Sequence, residues 1–108
     1  MSAPSRGQIW QVAFQHAGGI ETLPCLILSD NQINQNSANL TVVLSTMDKK
    51  LDLRSHIQAN ESGKGEDIFI CCEQILTVST DRCIKAIDEV PDKILAEVDE
   101  TVKMVLGF

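Results

Sequence analysis

Two histidines, His16 and His56, are the side chains of this sequence whose charge changes nearest neutral pH. His16 stands just before Gly18 and Gly19, in a stretch that reads as a loop, and there it is a candidate acid or base. His56 lies two residues from Arg54 in a segment of weak alternation. In an extended strand two such residues share a face, so together they are a candidate phosphate-binding pair. Lys49-Lys50 is the only doublet of cations and a second candidate contact for an anion. Glu73-Gln74 interrupts a β-rich run. The pair is expected to fix a bend through backbone hydrogen bonds and, from that bend, to touch a ligand. Each of these residues also has a plain structural reading, as a solvated loop or a polar strand face.

The four cysteines, Cys25, Cys71, Cys72 and Cys83, show no Cys-x-x-Cys spacing, and no histidine lies close to them along the chain. Neither a metal nor another cofactor is expected on that ground. Cys71 and Cys72 are adjacent and point to opposite faces if the segment is a strand. They read as buried free thiols acting as small apolar residues. Trp10 reads as a core residue rather than a stacking platform.

The elements that must hold these residues are mostly strands. Gln8 to Phe14 alternates, with Trp10, Val12 and Phe14 on one face. Gln15 to Glu21 reads as a loop, and Leu23 to Ser29 as a strand with Pro24 near its start. Asp30 to Asn39, rich in Asn, Gln and Ser, favours turns and at most one helical turn. Leu40 to Ser45 is the most apolar strand and is expected at the centre of the sheet. Leu53 to Ala59 is a weaker strand, Glu61 to Asp67 a hairpin connection, and Ile68 to Ser79 a long strand bent at Glu73-Gln74. The period then changes. Ile94, Leu95, Val98, Val102, Val105 and Leu106 recur at helical spacing, with Pro91 and Asp92 at the start and Gly107 at the end. A helix over Asp92 to Leu106, buried along its Val98/Val102/Leu106 side, is expected to close the fold.

With 108 residues, 44% hydrophobic and 22% charged, the sequence suits one globular domain spanning 1–108. No apolar run is long enough to cross a bilayer, and Met1 to Gly7 lacks an apolar signal region, so a cytoplasmic protein without membrane contact is expected. The net charge is −6 and there are only three arginines: Arg6, Arg54 and Arg82. That balance favours solubility and gives little cation density to hold a polyanion.

The order of segments resembles the MazF/PemK family of toxins, endoribonucleases of type II toxin–antitoxin systems. Arg6-Gly7-Gln8-Ile9-Trp10 is similar to the family's opening, and Leu23-Pro24 followed by aliphatics and Ser29 to its second strand. Leu40 to Thr46 resembles the third strand, which ends on Ser or Thr. Glu73-Gln74-Ile75 resembles the acidic-Gln-aliphatic signature, Asp81-Arg82-Cys83 the basic step after it, and Asp88 to Phe108 the closing helix. The resemblance implies a mainly β fold with a C-terminal α-helix, a small SH3-like barrel and a homodimer. It also implies metal-independent cleavage of single-stranded RNA by attack of the 2′-hydroxyl, and a cognate antitoxin with an acidic tail.

By that resemblance the catalytic hydroxyl maps to Thr46, and the first loop with His16 flanks the RNA groove. The family's catalytic Arg maps to Leu23, and its basic residue after the Gln signature to Leu76. Leucine neither donates to phosphate nor moves a proton. The groups expected to stand in for the missing cation are His16 and the Arg54/His56 pair, with Lys49, Lys50, Glu73 and Gln74 as further RNA contacts. Two other readings stay open: a catalytically degenerate binding protein of the same fold, and a gyrase-directed toxin of the CcdB type.

Overall fold

The computed structural model describes residues 3–47, 54–59 and 67–108. In chain order the elements are β1 (Gln8–His16), β2 (Gly19–Ile27), α1 (Asn31–Asn36), β3 (Asn39–Thr46), β4 (His56–Gln58), β5 (Phe69–Ser79), a 3-10 turn (Thr80–Arg82), β6 (Cys83–Glu89) and α2 (Asp92–Leu106). The strands form one six-stranded sheet in the order β4-β5-β3-β2-β1-β6, and all its ladders are antiparallel. The mainly β class with a C-terminal helix is as expected. The ladder is open, however: among the described residues β4 and β6, at its two edges, do not pair with each other.

Alternation along the strands gives the sheet two apolar faces. One gathers Ile9, Leu26, Val43, Ile70 and Cys72 beneath α2, together with Val90 and Val98. The other gathers Trp10, Val12, Cys25, Ile27, Leu40, Val42 and Val78, with Phe14 and Leu76 beside them. Burying each valine- or leucine-sized side chain contributes about 1.5–3 kcal/mol, so these clusters are what outweighs the entropy of ordering the chain. Leu40 to Ser45 lies third in the sheet between β5 and β2, the central place its apolarity implied. Trp10 is core, and its indole N–H donates to Gln8 Oε1 at 2.9 Å.

Helix α2 has the expected bounds. Pro91 sits at its N-cap, Asp92 in its first turn and Lys103 in its last, and Gly107 ends it at φ 83°, a left-handed conformation that suits glycine. Val98 is fully buried, and Ile94, Leu95 and Val102 pack on the same core. Leu106, expected on the buried side, is 54% exposed, and Phe108 is 91% exposed. Only the upstream part of the stripe meets the sheet. Arg6 ties the chain's start to this helix: its guanidinium donates to both carboxylate oxygens of Asp99 and to the Leu28 carbonyl.

Two further elements differ from the sequence reading. Gln15 to Glu21 is not a loop; β1 and β2 run on to a tight turn at Ala17-Gly18, with His16 opposite Gly19 at φ 121°. Glycine in that conformation lets the hairpin close in two residues. Strand β6 carries no burial pattern, since Ile84 through Glu89 are all exposed, and it is held by its ladder to β1. The expected Glu61–Asp67 connection lies outside the described residues except for Asp67.

Candidate functional site

Strand β3 delivers Ser45 and Thr46 to one end of the sheet. Ser45 is almost fully buried, and its hydroxyl donates to the Pro24 carbonyl at 3.0 Å, locking β3 against β2. Cys25 pairs with Leu44. The β2–β3 ladder runs from that pair to Ile27–Val42, so Leu23 stands two residues beyond its end. The two positions that the resemblance picked out thus fall at the same end of the sheet, and one of them is apolar.

A groove of about 410 Å³ opens at this end, with Gln11, Thr22, Pro24, Ser45, Thr46 and Met47 on its walls. Ile9, Ile68, Ile87 and Asp88 complete the lining. The hydroxyls and the amide supply hydrogen bonds in fixed directions, while the apolar atoms give a base a dry surface. Asp88 is the charged lining residue, and none of the described residues lining the groove is Lys or Arg. Sequence reasoning missed Gln11, Ser45 and Asp88. Ser45 and Gln11 were lost inside strands, and Asp88 was taken for the start of the helical region.

The other candidates separate into three places. His16 sits at the β1–β2 turn, four residues from the Leu23 level, about 13 Å along the hairpin at the ordinary strand rise. Its Nδ1 accepts from the Gly18 N–H at 3.1 Å, and its Nε2 lies 3.5 Å from Glu21 Oε2. Within one protomer it is not brought to Thr46. Arg54 and His56 have different surroundings. Arg54 lies in the turn before β4, outside the strand period, and lines a shallow groove with Ile57, Glu97 and Glu100. His56 faces the other way, with Nε2 3.0 Å from Glu73 Oε2. Lys49 and Lys50 lie outside the described residues.

Glu73 is held on both oxygens. The Ser55 hydroxyl donates to Oε1 at 2.8 Å, and His56 meets Oε2. Burial pushes the Glu73 carboxyl up, but the hydrogen bonds from His56 and Ser55 outweigh it and hold the group below the usual carboxylate range. The bend expected at Glu73-Gln74 is present: Val43 pairs with Ile75 but Ser45 with Ile70, so β5 carries extra residues between them. Gln74 points to solvent.

Alternation along β5 also sorts the thiols. Cys72 joins the core under α2, while Cys71 lies across from His56 on the opposite face. Burial raises both, and Cys72 and Cys25 reach about 12. His56, Cys71 and Glu73 bring one ligand atom each within 4.8 Å of one another. The spacing argument against metal ligands looked only along the chain, and the β4–β5 ladder closes the fifteen-residue gap between His56 and Cys71.

Comparison with known proteins decides the family. A model of PemK-like, MazF-like toxins of type II toxin–antitoxin systems matches residues 5–106. The chain belongs to this family. Among characterised members, it is similar to "Endoribonuclease MazF9" of Mycobacterium tuberculosis, at 31% identity over 113 residues, covering 95% of this chain and 96% of the relative. Its fold matches a mycobacterial endoribonuclease solved in complex with its cognate antitoxin, with a TM-score of 0.83 at 21% identity, covering 98% and 97% of the two chains. A MazE-MazF structure from Deinococcus radiodurans superposes with a TM-score of 0.84 at 18% identity, covering 99% of each chain. The family match spans β1 through α2, so it includes the groove, Thr46 and Leu23.

Proposed function

We propose that this toxin-family chain is an endoribonuclease that cuts single-stranded RNA in the groove headed by Thr46. The supporting observation is that Thr46, the position matching the family's catalytic hydroxyl, lines that groove together with Gln11, Thr22 and Ser45. In this reading a base stacks on the apolar lining and is held by Gln11, Thr22 and Ser45. The Thr46 hydroxyl donates to a phosphate oxygen as negative charge builds there. The 2′-hydroxyl next to the scissile phosphate attacks phosphorus, and its proton passes to the Asp88 carboxylate across the groove. The 5′-oxygen leaves with a proton from solvent, giving a cyclic phosphate and a 5′-hydroxyl. No step draws on a metal.

The chain acts as a homodimer in the cytoplasm and is silenced by a cognate antitoxin whose acidic tail lies over the groove. His56 and Glu73 serve to brace β4 on β5, since their polar atoms are turned to each other. Losing one preorganised donor costs about 10²–10³ in rate, so Leu23 makes this a slow enzyme. The test is incubation of EDTA-treated protein with mixed-sequence RNA, followed by analysis of the ends. Cyclic-phosphate ends from wild type that vanish in Thr46→Val are the expected result. A second reading, an RNA- or partner-binding protein without cleavage, is favoured by Leu23 alone. It stands if neither wild type nor Leu23→Arg cuts.

A further inference from the structure

The bulged strand β5 and the edge strand β4 build a second group of reactive side chains outside the groove. Cys71 pairs with His56 across the ladder, and Glu73 follows Cys71 by two residues. The Cys72 N–H donates to the Ser55 carbonyl and the Ala59 N–H to the Ile68 carbonyl. His56 and Cys71 thus fall between hydrogen-bonded rungs, at the positions where antiparallel side chains approach most closely. We propose that His56, Cys71 and Glu73 form a site for a divalent transition metal of the zinc class, with a fourth position open to solvent. The idea stands whether or not the groove cleaves RNA.

Four observations carry it. The donors are one imidazole nitrogen, one sulfur and one carboxylate oxygen, a set that zinc accepts and that magnesium or calcium does not. Tetrahedral zinc sets its ligand atoms about 3.3–3.6 Å apart, from bond lengths of about 2.0–2.3 Å. Here Nε2 and Oε2 are 3.0 Å apart and all three ligand atoms lie within 4.8 Å, so binding needs only small rotations. Cys71 is 93% buried by its 7% exposure, and among the described residues its thiol has no hydrogen-bond partner although it is aimed at this cluster. Finally, the charges balance: thiolate and carboxylate together neutralise a divalent ion, which matters where burial makes net charge costly. Ser55, on the other carboxylate oxygen, orients the Glu73 ligand from outside.

On binding, the thiol proton of Cys71 leaves to solvent. The imidazole proton moves from Nε2 to Nδ1, so Nε2 offers its lone pair. Cobalt(II) is the probe, because a thiolate ligand gives it a near-ultraviolet charge-transfer band and tetrahedral geometry gives it strong visible absorption. Titration of EDTA-stripped protein should saturate at one equivalent, zinc should bleach the spectrum by displacement, and zinc but not magnesium should raise the melting temperature. Cys71→Ser should abolish the charge-transfer band, and His56→Ala should remove the visible tetrahedral signature. Ser55→Ala should weaken zinc about 10-fold. Cys72→Ala, altered on the opposite face, should keep both bands. Absence of a saturable band in wild type overturns the site, as does a band that survives Cys71→Ser. Circular dichroism of each variant separates lost ligands from lost fold.

Discussion

In the proposed reaction Leu23 is the residue on which the rate turns. It carries methyl groups at the position where the resemblance sets a cation that would hold a phosphate oxygen. Leu23→Arg should therefore raise RNA cleavage by about 10–100-fold, measured as initial rate on one defined single-stranded oligonucleotide. Thr46→Val, close in volume but without the hydroxyl, should lower it by at least about 10²-fold. The thiols give a second residue-scale expectation. Cys83 is partly exposed, while Cys25 and Cys72 are fully buried with pKa values pushed up to about 12. Reaction with an aromatic disulfide reagent should begin at Cys83, and Cys25 and Cys72 should react only on unfolding. Peptide mapping after timed quenching reads that order directly. Thr46 was legible through the strand that ends on it. The partners of His56 were not, because a hydrogen bond across a ladder leaves no trace in local sequence.

At the level of elements, legibility followed burial. Helix α2 was readable to its ends because its core stripe, its Pro91 start and its Gly107 stop agree. Val98→Asp places an unpaired carboxylate in that core and should cost about 3–5 kcal/mol, read as a drop in urea midpoint. If the midpoint barely moves, the helix is not seated through Val98. Strand β6 was invisible for the opposite reason. Cys83–Glu89 buries almost nothing and is defined by backbone bonds to β1, which composition does not encode. The bend in β5 was legible as an interruption, but its effect was not: it moves the inward-facing positions from Ile70 and Cys72 to Ile75. Cys71 and Glu73 precede that change: they face away from Ile70 and Cys72 by plain alternation, and so toward His56.

Taken whole, the molecule leaves apolar surface uncovered. Ile84 and Ile87 lie on the open edge strand β6, and Met104, Leu106 and Phe108 at the end of α2. Edge strands of this kind invite pairing, and exposed apolar groups invite a partner. With the proposed dimer, light scattering at micromolar concentration should give about twice the chain mass of 11.9 kDa. A monomer mass there refutes that assembly.

The pairing of β1 with β6 joins Gln8 to Glu89, and Arg6 reaches Asp99 near the end of the chain. Ribosomes add about 5–20 residues each second, so the first strand waits several seconds for its last neighbours to be made. The groove takes Gln11 from one end of the sequence and Asp88 from the other. A nascent chain therefore holds no finished groove while most of it is still being translated.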